Sequence, residues 1–151
     1  LEVGKSYPFQ IDAAARQLNA VYHTAAHLIA AVVEQQFPQI RAVAGHQWPG
    51  EARVEFEGTF DDALATDVQA YLAGALPKAI AEDWSCRMMG DPYSNRALQI
   101  ADTAPVPCGG THVTRLSEIG SITVKTAKRK GDRLRLNYNA TIPTTSIAGV
   151  A

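Results

Sequence analysis

The chain has 151 residues, 46% of them apolar and 19% charged, with a formal charge of −1 at neutral pH. That balance excludes a disordered or collagen-like chain and a surface that is basic all over, and the length fits one globular domain over residues 1–151 rather than two. No window reaches the roughly 18 consecutive apolar residues of a membrane-spanning helix, and Leu1-Glu2-Val3-Gly4-Lys5 lacks the basic-then-apolar order of a signal peptide, so no membrane contact and a cytoplasmic location are expected. Leu1 is not a methionine, so the numbering leaves room for residues before it.

Asp12 reads as a helix N-cap, and the Ala-, Leu- and Val-rich run 13–36 predicts a long helix that Phe37-Pro38 stops. Val21, Ala25, Leu28, Ile29 and Val32 fall at helical spacing and form its predicted buried stripe. Residues 41–48 and 52–57 predict a hairpin around Pro49-Gly50, with Val54 and Phe56 alternating against Arg53, Glu55 and Glu57. Asp61-Asp62 opens a second helical region to about Trp84, which Gly74 and Pro77 are expected to bend or split. Short strands are expected at 86–89 and 96–100, then a loop over 103–111 held by prolines and glycines. A strand pair over 120–127 and 132–140 closes the pattern around Lys130-Gly131. The expectation is an α+β, two-layer domain, two long helices packed on a mostly antiparallel sheet.

Charge is unevenly spread. Residues 1–124 carry eight basic against fourteen acidic side chains, and residues 125–151 carry six against one. Lys125, Lys128, Arg129, Lys130, Arg133 and Arg135 therefore form a basic stretch, which reads either as a contact for phosphates or as a hairpin edge protected by charge. The two cysteines, Cys86 and Cys108, are too few for a disulfide framework. Cys86, between Trp84 and Met88, reads as a buried thiol.

Two groups carry chemistry. His23 and His27 lie four residues apart on the first helix, so both imidazoles leave one face. Cys108-Gly109-Gly110-Thr111-His112 lies in the loop, where two glycines let the backbone fold back and bring thiolate and imidazole together. Taken singly, each group also reads as surface histidines or an ordinary loop thiol. Together, three nitrogens and one sulfur suit tetrahedral zinc. No phosphate-binding glycine loop is present, and Thr24 stands where a metalloprotease helix would need glutamate.

His-Thr-Ala-Ala-His-Leu-Ile at 23–29 followed by Cys-Gly-Gly-Thr-His-Val at 108–113 resembles the editing domain of alanyl-tRNA synthetase and its freestanding relatives, the alanyl-tRNA editing proteins. Gly45, Val54-Glu55-Phe56 and Glu118-Ile119-Gly120 add to the match, which spans roughly residues 12–140. The related domain of threonyl-tRNA synthetase has a similar histidine pair but differs around the cysteine. The resemblance implies that His23, His27, Cys108 and His112 bind zinc beside a cleft for the 3′ end of a misacylated tRNA. It implies hydrolysis of the ester on the terminal ribose of tRNA(Ala), seryl or glycyl, without ATP, by a chain acting in trans. No protein partner is indicated.

Zinc can polarise a carbonyl, orient a substrate or acidify bound water. Four protein ligands fill a tetrahedron, so either a ligand moves, the ion becomes five-coordinate, or zinc only positions the aminoacyl end while a nearby water reacts. The last is the favoured reading. Recognising serine by its hydroxyl and rejecting a side chain that lacks it calls for a polar group near the bound side chain, and Thr24, Gln47 and Thr111 are the candidates. Val43 stands where the family often has a polar residue before the glycine matching Gly45. Arg16 and Asn19 share the helical stripe of His23 and His27 and, with Lys128, Arg129 and Lys130, are the candidate tRNA contacts. His46 reads as a strand-end histidine or part of the pocket rim. Two other functions fit the same residues: a non-catalytic zinc-stabilised tRNA-binding module, and a deacylase of another misacylated tRNA.

Overall fold

In the computed structural model, which describes residues 2–144, the expected α+β class is borne out. Helix α1 spans Ala13–Gln36, and the Asp12 side chain accepts the Ala15 N–H at 3.0 Å, satisfying one of the unpaired donors of the first turn. Its predicted stripe is buried, Val21, Ala25, Leu28 and Ile29 completely. Helix α2 spans Asp62–Ala81, capped by Asp61.

Gly74 and Pro77 do not split α2. The helix runs through Pro77 with Leu72, Leu76 and Ala79 on one buried face across it, so packing holds the segment helical despite the lost backbone donor. It ends at Ala81, short of Trp84, because Asp83 turns into the left-handed region at φ 52°.

Seven strands form two antiparallel sheets rather than one. Strands β1 (Ile40–His46), β2 (Arg53–Gly58), β6 (Ser121–Lys130) and β7 (Arg133–Thr141) form a sheet in the order β1-β2-β7-β6. Strands β3 (Cys86–Met89), β4 (Ala97–Ile100) and β5 (Val106–Pro107) form a smaller one in that order. The expected loop 103–111 thus contains a two-residue strand. In β7, Leu134, Leu136, Tyr138 and Ala140 alternate onto the helix-facing side and are buried, while Arg133, Arg135 and Asn137 face the other way.

That other face carries an ion network. Glu55, 8% exposed, receives Arg133 at 3.0 Å and Arg135 at 2.7 Å, and Arg133 also reaches Glu57 at 3.1 Å. Hydrogen bonding from Arg133, the largest influence, outweighs burial and holds the Glu55 carboxyl below its usual range.

Two tyrosines register α1 on the sheet. The Tyr138 hydroxyl donates to the Tyr22 carbonyl and the Tyr22 hydroxyl to Asn139 Oδ1, both at 2.8 Å. Tyr22, the residue before His23, is thereby tied to Tyr138 and Asn139 of β7. No helix among the described residues is long and apolar enough to cross a membrane.

Candidate metal centre

The middle of α1 and the loop after β5 bring four donors together. His23, His27, Cys108 and His112 are half-buried, and their ligand atoms all lie within 4.8 Å of one another. Cys108 Sγ stands 3.5 Å from His23 Nε2 and 3.2 Å from His112 Nε2. A tetrahedral ion with zinc's bond lengths separates its nitrogen and sulfur donors by about 3.5–3.6 Å. The His23–Cys108 spacing matches that value and the His112–Cys108 spacing is shorter, so the donor set suits zinc with side-chain adjustment and no change of the fold. The ring centroids of His23 and His112 lie 4.2 Å apart, and His27 is 5.1 Å from each.

Burial first, then the neighbouring imidazole charges, depress the histidines. His27 is lowered to about 4 by burial and by His23, and His112 to about 3 by burial, His23, His27 and Arg96. His23 is lowered by burial, against a hydrogen bond with the Thr111 backbone. All three are neutral at pH 7, the form that ligates metal. In the unfolded chain they protonate near 6.5, so between there and the folded values the unfolded state binds more protons. The expected result for chelated protein is a urea midpoint that is flat between pH 7 and 8 and falls steadily from pH 6.5 towards 4. In a His27→Ala/His112→Ala double variant that acid slope should flatten; an unchanged slope would assign it to other groups.

Two positioning contacts were not read from the sequence in these roles. Arg96, just before β4, donates to the carbonyls of Gly109 at 3.0 Å and Gly110 at 3.2 Å, while Cys108 N–H donates to the Arg96 carbonyl at 3.0 Å. A lone arginine has no spacing signature that would reveal this brace.

Thr24, considered above for the cleft, is fully buried beneath the cluster. Its Oγ1 accepts the Val113 N–H at 3.2 Å and lies 3.1 Å from His112 Nδ1. With Nε2 turned to the sulfur, Nδ1 carries the ring proton and donates it to Thr24, the usual outer support of a metal-binding histidine. Thr24→Val should lower zinc affinity about 10- to 100-fold. It should also cost about 1–3 kcal/mol by leaving the Val113 N–H unpaired. Chelator competition and urea unfolding measure the two effects.

The two glycines of the loop work differently from the expectation. Neither Gly109 nor Gly110 is in the left-handed region, so no special backbone freedom is used. A Cβ at Gly110 would instead collide with the His23 ring, whereas one at Gly109 would meet nothing within 4 Å.

A cleft of about 970 Å³ adjoins the centre through His27. It is lined by α1 residues from Ala26 to Gln35, by Ala42–Gly45 and Gln47, and by Trp84 with Ala101–Ala104 and Val106. Its size falls within the usual range for small-ligand sites, roughly 300–1,000 Å³. Gln47 is thus on the cleft, its amide 2.6 Å from where a Cβ on Gly45 would stand. Val43 lines it too. Thr111 is exposed and outside the lining, and touches the centre through its backbone. His46 is outside the lining and faces Glu51 at 3.5 Å.

Arg16 and Asn19 are exposed on α1, within two turns before His23. The basic stretch is not drawn to the centre. Lys128, Arg129 and Lys130 pair with Arg135, Leu134 and Arg133 near the hairpin tip. That tip is about 20 Å along β7 from Asn139, at roughly 3.3 Å per residue. Arg129 is already engaged by the Phe60 carbonyl at 2.8 Å and by its ring at 4.6 Å. Arg133 and Arg135 are paired with Glu55 and Glu57, leaving Lys125, Lys128 and Lys130 as the exposed lysines of the edge strand β6.

No protein-family model matches the chain. Among curated proteins it is similar to the alanine–tRNA ligase of Acaryochloris marina, 28% identical over 83% of this chain and 16% of the ligase. The chloroplastic/mitochondrial alanine–tRNA ligase of Arabidopsis thaliana is 27% identical over 82% of this chain and 14% of its own length. The ligase of Corynebacterium diphtheriae is 26% identical over 89% and 17%. The chain therefore spans about one sixth of the length of these relatives, and the likeness supports a relation to a segment of alanine–tRNA ligase.

Proposed function

We propose that this chain is a zinc-dependent deacylase that hydrolyses the ester of misacylated tRNA(Ala), most readily the seryl form and next the glycyl form. One observation carries the reading: three imidazoles and a cysteine sulfur converge beside a ligand-sized cleft that His27 lines, in a chain related to alanine–tRNA ligases. His23, His27, Cys108 and His112 would hold the ion. Zinc bound there would supply a Lewis acid and a fixed point for orienting the aminoacyl end.

The chain's own residues do the rest. Thr24 and Arg96 hold His112 and the loop in place, so the donors are preorganised. The cleft takes the aminoacyl-nucleoside end, with Gln47 offering an amide to a serine hydroxyl. The burial of Thr24 and the position of Thr111 outside the cleft lining leave Gln47 as the strongest of the three polar candidates for that contact. Arg16, Asn19, Lys128 and Lys130 are the proposed contacts to the RNA backbone, with Arg129 contributing less because Phe60 holds it. The in-trans mode is part of the proposal and is tested by turnover of the chain alone.

The test is release of labelled amino acid from seryl-, glycyl- and alanyl-tRNA(Ala) by zinc-loaded protein, beside His27→Ala. Loss of serine or glycine with alanine spared, abolished by the substitution, is the expected result. Stability of all three esters with one zinc bound per chain would favour the second reading, a zinc-stabilised tRNA-binding module. That reading is motivated by four protein donors that fill a tetrahedron. It predicts salt-sensitive tRNA binding without turnover. Cleavage of a different charged tRNA would leave the chemistry and change the substrate.

A further inference from the structure

Among the described residues lining the cleft, only His27, Glu34 and Asp102 are ionisable, and no lysine or arginine is with them. Zinc with the Cys108 thiolate that would hold it adds a net +1 at the His27 end, so the two carboxylates still leave the cleft negative, and a part of a ligand that carries positive charge gains there where phosphate does not. Glu34 is committed, since its Oε1 accepts the Ala42 N–H at 2.6 Å. Asp102 is exposed on the cleft wall and has no side-chain hydrogen bond or ion pair among the described residues.

The backbone around Asp102 is fixed. Ala101 adopts φ 47°, a conformation that residues with a Cβ rarely take, and its N–H donates to the Ser85 carbonyl at 2.8 Å. On the other side, Thr103 donates to the Ile100 carbonyl through both N–H at 3.0 Å and Oγ1 at 2.7 Å, and Gln99 Nε2 donates to the Thr103 carbonyl at 3.1 Å. The tight turn therefore fixes the backbone from which an uncommitted carboxylate is presented to the cleft.

We propose that Asp102 binds the free α-ammonium of an aminoacyl ester, so that the site selects esters whose amino group is unblocked and charged. The proposal rests on the deacylase reading. The aminoacyl end of a charged tRNA is where a cation lies clear of phosphate, which is the charge pattern of this cleft. In the hydrolysis, water's oxygen adds to the ester carbonyl carbon and the bond to the ribose oxygen breaks. That oxygen keeps the electron pair and takes a proton. The ammonium is unchanged throughout, and its contact with Asp102 fixes which way the carbonyl faces.

Seryl-tRNA(Ala) and the glyceryl-tRNA(Ala) made from it by nitrous acid deamination provide the test, because a hydroxyl replaces the ammonium at nearly constant size. Rates are divided by spontaneous hydrolysis, since the ammonium itself activates the carbonyl. Zinc-loaded wild-type protein should prefer the seryl ester in kcat/KM by about 10- to 100-fold. Asp102→Asn should bring the ratio near one by slowing the seryl ester alone, and Asp102→Glu should keep part of the preference. Equal rates with wild-type protein, or equal loss on both esters in Asp102→Asn, would overturn the assignment. Hydrolysis of neither ester by wild-type protein would overturn the deacylase reading and Asp102's role with it.

Discussion

Gly110→Ala is expected to release zinc from a protein that stays folded, while Gly109→Ala changes neither property. The added methyl at position 110 would overlap the His23 imidazole, and the same methyl at 109 points into open space. Because the loop is partly exposed and His23 is half-buried, the collision is relieved by displacing the ring or the loop. Either movement takes a donor out of a set of four that already lies close together. The affinity loss should be on the order of 100-fold or more, beyond what losing an outer-shell partner costs. Competition with a chromophoric chelator measures it, with far-ultraviolet circular dichroism as the control for folding. Equal affinities in the two variants would show that clearance over Gly110 is not what the position provides.

Phe56→Ala is expected to cost about 3–5 kcal/mol, much of the stability of a domain this size. Phe56 has no exposed surface and sits on the inner strand β2, opposite Ala42 on one side and Leu134 on the other. Small or fully packed neighbours cannot collapse into the space a phenyl ring leaves. Trp48, 66% exposed after β1, provides the contrast: its replacement by alanine should stay within about 0.5 kcal/mol. Urea unfolding of the zinc-loaded proteins compares them, and a Phe56→Ala loss below about 1 kcal/mol would mean that this part of the core re-forms around the gap.

What could be read from the sequence was local. The limits of α1 followed from Asp12 at one end and Pro38 at the other, and its buried stripe from spacing alone. His23 and His27 were legible because one helical turn brings them together, and the cysteine loop because its residues are adjacent. The second sheet was not legible, since β5 is two exposed residues, one of them a proline, and its pairing with β4 is a tertiary fact. The fate of the basic stretch was equally hidden: Arg133 and Arg135 find Glu55 about 80 positions earlier in the chain. Thr24 was a candidate polar contact for the bound side chain, but a residue one step from His23 on a helix turns about 100° away from it. There it packs under His112 instead.

The donors come from segments 85 residues apart, His23 on the first helix and Cys108 beyond β5. An ion held by both is a clasp across most of the chain, and a covalent tie closing a loop of that length is worth about 4–5 kcal/mol. The two imidazoles of α1 come together as soon as that helix winds. The sulfur and the third imidazole join them only through the tertiary contacts that seat the loop on α1. A chain in which α1 has wound but the loop is not seated therefore offers the ion half a site.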